Sequence, residues 1–225
     1  MAGEASVVAD IPTRAKFDVP TPNKVHQADL LFLPHDKLPH GRKVFKNALT
    51  VVDVASRYKE AEPLTSRNSD EVAKAFQTIY KRSPLTWPQM LQVDPGREFM
   101  GAVTQEMEKH KTYIRRGRAE IHRDEAIVER FNRTLAERLF GHEYVVEMRL
   151  PECQWSTAWV KGLPEVVSAL NNEVTSLIGK KPAVAIKEKT VYARASTTYS
   201  RPVGEKEKIT PLPCRSSLSL PTQRA

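Results

Sequence analysis

Between Asp124 and Phe140 apolar residues return every three or four positions, and this pattern constrains the chain most. With about 100° between successive residues of a helix, Ile127, Val128, Phe131, Leu135 and Leu139 fall on one side, and Glu129, Asn132, Arg133 and Ala136 fall on the other. Such a stretch lays its stripe on a core and leaves an open edge. That edge holds one carboxylate, Glu129, among basic and amide side chains. A lone exposed glutamate usually serves only solubility, so the rest of the chain decides what it does.

Upstream the sequence supplies a sheet. Residues 25–33, Val-His-Gln-Ala-Asp-Leu-Leu-Phe-Leu, form an apolar run broken by Asp29 and closed by Pro34, the pattern of a buried strand. A bare aspartate among strand leucines is costly unless something pairs with it. Residues 35–43, with Pro39 and Gly41, read as a loop. Residues 44–54 and 58–64 read as an antiparallel hairpin joined at Ala55-Ser56-Arg57. Asn68-Ser-Asp-Glu71 has the form of a capping box, and Val72, Phe76, Ile79 and Tyr80 follow at helical spacing up to Arg82. That helix is expected to cover one face of the sheet.

Met90-Leu-Gln-Val93 reads as a further strand ending at Asp94, just before Pro95-Gly96. Residues 102–111 read as a short helix with Val103 and Met107 inward, and 112–114 as a short edge strand. Arg115, Arg116, Arg118 and Arg123 surround Gly117 in what reads as a flexible basic loop, suited to a phosphate backbone. Past the Glu129 helix, residues 152–172 read as the last helical region, with Trp155, Trp159, Leu163, Val167 and Leu170 inward and a bend or fresh turn at Pro164. Residues 1–23 are expected to be a flexible leader, 24–186 one globular core, and 187–225 a disordered basic tail.

Thirty-five Lys and Arg against 27 Asp and Glu leave a charge of +8 at pH 7, which suits a polyanionic partner without identifying one. The two cysteines, Cys153 and Cys214, are too few for a disulfide framework or a cysteine zinc site and point to a reducing compartment. No run approaches membrane-spanning length, and the amino terminus lacks the design of a secretory signal. The expectation is a soluble intracellular protein.

The order strand, strand, strand, helix, strand, helix, strand, helix lets carboxylates from distant parts of the chain meet. Asp29, Asp94 and Glu129 are the candidates. Hard divalent cations prefer oxygen ligands, and two Mg²⁺ ions about 3.5–4 Å apart can be held by a few carboxylates plus substrate phosphate oxygens. Unneutralised, such carboxylates raise one another's pKa, so the cluster makes chemical sense when metal fills it.

Four phrases then carry a resemblance: Gln27-Ala-Asp29, Val51-Val-Asp-Val-Ala-Ser-Arg-Tyr58, Val93-Asp-Pro-Gly-Arg-Glu-Phe99 and Ile127-Val-Glu-Arg-Phe-Asn-Arg-Thr-Leu135. From about His26 to about Ile186 the chain resembles the catalytic core of DDE-type integrases, found in retroviruses, long-terminal-repeat retroelements and Polinton/Maverick transposons. The helix phrase, Trp155, Trp159-Val-Lys-Gly-Leu-Pro164 and Gly179-Lys-Lys-Pro182 are most similar to the Polinton-like branch and host proteins descended from it.

The resemblance implies an α/β RNase H-like fold, a mixed five-stranded sheet flanked by helices. It implies Asp29, Asp94 and Glu129 as a catalytic triad binding two Mg²⁺ or Mn²⁺ ions, with Asn132 and Arg133 near the donor DNA end. The implied activity is DNA integration by phosphoryl transfer, meaning 3′-end processing and strand transfer, by a nuclear protein acting as a homodimer or higher oligomer, with no membrane. Several positions depart from the family. Arg133 stands where retroviral relatives often carry lysine, Ala136 where another DNA-contacting lysine is common, and Pro95 in place of a frequent asparagine. Asp124 and Glu125 add negative charge beside the expected DNA surface, and no His/His/Cys/Cys spacing precedes Asp29. Two other readings stay open: a domesticated or truncated core that binds DNA or protein without transposing, and a free-standing RNase H-like nuclease.

Overall fold

The apolar run at the start of the core becomes β1 (Val25–Lys37), the central strand of a five-stranded sheet in a computed structural model that describes residues 19–37, 43–117, 126–148 and 159–193. β2 (Val44–Asp53) pairs antiparallel with β1, and β3 (Lys59–Leu64) antiparallel with β2. On the other side β4 (Met90–Val93) runs parallel to β1, and β5 (Tyr113–Arg116) parallel to β4. The spatial order β3-β2-β1-β4-β5 is the mixed sheet expected from the sequence.

Side chains of a strand alternate between faces, so each strand feeds two cores. Ala28, Leu30, Leu49 and Val51 face α1 (Ser69–Arg82) and α2 (Ala102–Lys109), packing on Val72, Phe76, Ile79, Val103 and Met107. Ala48, Val52 and Ala61 face α3 (Ala126–Glu147) and α4 (Trp159–Asn172), packing on Val128, Phe131, Leu135, Leu139, Trp159, Leu163, Val167 and Leu170. The α3 stripe read from the sequence is therefore the one that is buried. Truncating Leu135 or Leu163 to alanine is expected to cost about 2–5 kcal/mol through lost contacts and the cavity left behind.

β1 does more than pair. Gln27 Oε1 accepts from the backbone N–H of Ile127 at 3.2 Å and of Val128 at 3.1 Å, so a strand side chain satisfies two of the orphan amides that begin α3. Near the other end of the strand, Asp36 Oδ2 accepts from Val160 N at 3.0 Å, and the Trp159 indole donates to the Pro34 carbonyl at 2.7 Å. Both helices on that face thus start from anchors on one strand.

Several expectations need correction. Pro34 does not close β1. The strand runs on to Lys37 through a register shift between Phe32 and Asp36, where an imino nitrogen costs no ladder bond, so residues 35–37 are strand and not loop. The capping box at α1 does not close: Asn68 is the N-cap but makes no side-chain cap bond. Glu71 turns instead to the amides and hydroxyls of Thr65 and Ser66, tying β3 to α1. The basic loop starts later than read, because β5 extends through Arg116. The core also reaches beyond 24–186: Asn23 N donates to Asp53 Oδ1 at 2.8 Å, and the buried Val191 donates to the Pro20 carbonyl at 2.7 Å. Trp155, Cys153, Asp124, Glu125 and the tail from 194 onward lie outside the described residues.

Candidate active site

Asp29 sits in the middle of β1 opposite Thr50 of β2, on the face covered by α3. Its carboxylate is held from two sides: Oδ1 accepts from the Leu30 amide and Oδ2 from Asn132 Nδ2, each at 2.7 Å. The Thr50 hydroxyl donates to Asn132 Oδ1 at 2.7 Å and lies 3.1 Å from the Asp29 carbonyl. Asn132 therefore passes a hydrogen-bond chain from β2 to the Asp29 carboxylate. This answers how a strand aspartate is tolerated among leucines.

Asp94 is exposed just beyond the end of β4, and Glu129 is exposed in the first turn of α3. Both stand near enough for their charges to act on Asp29. Burial pushes the Asp29 carboxyl up to about 6; the Leu30 amide opposes this, and the negative charges of Asp94, Glu129 and Glu98 add to it. Glu98 belongs to a single 3₁₀ turn, Arg97–Phe99, that follows β4. Its carboxyl lies over Gly96, where an added Cβ would meet it at 2.6–2.7 Å.

This donor set is all oxygen and crowded with like charge, which fits a hard divalent cation by its chemistry. Among the described residues no group of three His, Cys, Asp or Glu side chains is drawn tightly enough around one point to hold an ion. The acids are neighbours electrostatically rather than a closed cage.

The placement of the other candidate residues is uneven. Arg133 is exposed, one helical turn beyond Glu129. Asn132, read as part of the open edge, is only 8% exposed and bonded inward, because the pleat of β1 brings Asp29 under that side of α3. Arg115 is half-buried on β5 in register with Gln92. Arg116 is not a solvated loop residue: its guanidinium donates to the Phe99 carbonyl at 3.1 Å and to Thr104 Oγ1 at 2.9 Å. Arg118 and Arg123 lie outside the described residues.

Two positioning residues stand beside these. Gln27 and Gln92 are register partners on β1 and β4, and the Gln27 amide donates to Gln92 Oε1 at 2.9 Å. Each glutamine precedes a site aspartate by two residues, so Gln27–Gln92 ties together the strands that carry Asp29 and Asp94. The signal in the sequence was a glutamine in each of two strands, at the same offset from an acid.

No family model matches the chain. A transposon-derived protein of Caenorhabditis elegans is 34% identical over 135 residues, which is 60% of this chain and 43% of that protein. The chain thus spans less than half the length of that relative. In the intasome of simian T-cell lymphotropic virus in complex with the PP2A regulatory subunit B56 gamma, one chain superposes with a TM-score of 0.61 at 16% identity, over 81% of this chain and 62% of that one. The HTLV-2 integrase catalytic core domain in complex with magnesium, in its trimeric form, gives a TM-score of 0.52 at 19% identity, over 73% of this chain and 97% of that domain. The fold is that of integrase catalytic cores. The RNase H-like α/β architecture expected from the sequence therefore stands, while identities this low speak for the fold alone.

Proposed function

We propose that this domain is the catalytic core of a DNA integrase of the DDE type, nearest the Polinton/Maverick branch, with Asp29, Asp94 and Glu129 as its acidic triad. The observation that carries the reading is the approach of these three acids, from mid β1, the end of β4 and the first turn of α3, on a sheet of integrase-core topology. The transposon-derived relative supports it. Two divalent cations, when bound, supply activation of a water or 3′-hydroxyl nucleophile and stabilisation of the leaving oxygen.

The chain's own part is positioning. Asn132 orients the Asp29 carboxylate, and Gln27 fixes the start of the helix that presents Glu129. Arg133, Arg115, Arg118 and Arg123 supply positive charge for a DNA backbone, whereas the inward bonds of Arg116 give it a structural duty. The HTLV-2 domain occurs in trimeric and dimeric forms; a homodimer is the corresponding proposal here, as is action in the nucleus.

A strand-transfer and disintegration assay with Mg²⁺ or Mn²⁺ tests the reading. Joining by the wild type that is abolished in Glu129→Gln supports it; joining that survives the substitution refutes the triad. The second reading is a domesticated core that binds DNA or protein without transposing. Retained DNA binding with no joining by the wild type is its expected outcome.

A further inference from the structure

On the other flank of α3, away from the acids, the β2–β3 turn, the first turns of α3 and the end of α4 enclose a cavity of about 440 Å³. That volume lies within the range of small-molecule pockets, roughly 300–1,000 Å³. Phe131, Leu170 and Leu177 give it an apolar lining, and Arg57, Lys59 and Arg130 bring three cations to it. Glu173 also lines the cavity, but Arg138 already holds it at 3.1 Å.

Arg57 is out of place unless its side chain has a use. Its φ is 62°, in the left-handed region where glycine sits without steric cost and a side chain does not. Its guanidinium Nε is buried with no hydrogen-bond partner. Burial lowers its pKa against the opposing charge of Asp53, and burial together with the charge of Arg57 brings the Lys59 ammonium down to about 8 against that of Glu173. Converging cations that disfavour one another leave room for an anion.

We propose that this cavity binds a phosphorylated nucleotide unit, with the phosphate held by Arg57, Lys59 and Arg130 and the base against Phe131 and Leu170. A phosphate monoester carries about −1.5 to −2 at neutral pH and matches three cations better than a single carboxylate does. The flat apolar face of a base suits the lining. The terminal 5′-phosphate of a DNA strand and a free nucleotide share this chemistry. The proposal does not rest on the metal reading of the opposite flank.

The test is a fluorescence-anisotropy titration of the full chain with 5′-phosphorylated and 5′-hydroxyl forms of one short single strand, in EDTA, with AMP and inorganic phosphate as competitors. Because the metal is chelated, failure of the integrase reading leaves this readout untouched. The expected result is a preference of at least about tenfold for the phosphorylated strand, since charge-assisted bonds contribute about 1.5–3 kcal/mol. Competition by AMP identifies a nucleotide site; resistance to AMP identifies a strand end. Arg57→Gly relieves the backbone strain, so that variant is expected to keep its melting temperature while losing the preference, as is Arg130→Gln. Equal binding of the two strands, a preference that survives in both variants, or inorganic phosphate competing as well as AMP would overturn the proposal.

Discussion

Asn132 on α3 donates to the Asp29 carboxylate on β1 at 2.7 Å, and the Thr50 hydroxyl of β2 donates to the same Asn132 at 2.7 Å. One side chain therefore sets the rotation of the Glu129 helix against the strand that carries Asp29. Asn132→Ala would leave the Asp29 Oδ2 without its partner, while the Thr50 hydroxyl keeps the Asp29 carbonyl, a cost of about 1–3 kcal/mol in a urea melt. Asn132→Asp would set a further negative charge beside Asp29, so its deficit should be larger at pH 8 than at pH 5. A deficit independent of pH would contradict this account of the contact.

Gln27 makes a second, testable join. Its carbonyl accepts from the amides of Ile127 and Val128, and its own amide donates to Gln92. Gln27→Ala should speed hydrogen exchange at Ile127 and Val128 by about tenfold, the factor corresponding to roughly 1.4 kcal/mol of local stability. Gln27→Glu keeps an acceptor for α3 but loses the donor to Gln92, so those two amides should stay protected. Equal exchange in both variants would mean that the glutamine fills space and no more.

On the opposite face a buried histidine sets a limit at low pH. His26 is fully buried between Tyr80 Oη at 3.0 Å and Asn23 Oδ1 at 3.2 Å, and burial pushes its pKa from 6.5 down to about 3. Asp53 lies 3.6 Å from the ring, but at neutral pH the ring is uncharged, so this is not an ion pair. The unfolded chain binds a proton below about 6.5 that the folded chain refuses until about 3. Stability from this group is thus full above 6.5 and falls as pH drops toward 3. Asp53, raised by burial, opposes it in part. His26→Gln should flatten the loss of stability between pH 6.5 and 3, measured by denaturant melts at fixed pH; an unchanged slope would contradict the assignment.

Much of this was legible in the residues themselves. The apolar run of β1 declares a buried strand, and the stripe from Val128 to Leu139 declares the buried face of its helix, because burial repeats with the geometry of each element. The three acids are candidates picked from the residues alone, Asp29 at a break in its strand, Asp94 at a strand end and Glu129 on the open edge of its helix. What was hidden depends on register across long separations. No local pattern says that Gln27 meets Gln92, that Pro34 sits in a shift of the ladder, or that Asp36 and Pro34 receive the first turn of α4. The helical wheel placed Asn132 on the open edge because it describes α3 alone, and the strand beneath that edge decides otherwise. Arg116 read as part of a flexible basic loop for the same reason, its partners being on Phe99 and Thr104.

If Asp29, Asp94 and Glu129 share a divalent cation, as proposed, electron paramagnetic resonance of free Mn²⁺ will detect it. Titrated into the wild type, Mn²⁺ should bind saturably. Affinity should drop about tenfold or more in each of Asp29→Asn, Asp94→Asn and Glu129→Gln, as for loss of a charged partner worth at least about 1.4 kcal/mol. Because the Asp29 carboxyl is held up to about 6, protons should compete and binding should weaken below that pH. Mn²⁺ binding that is unchanged in all three variants, or absent from the wild type at pH 8, would contradict the account.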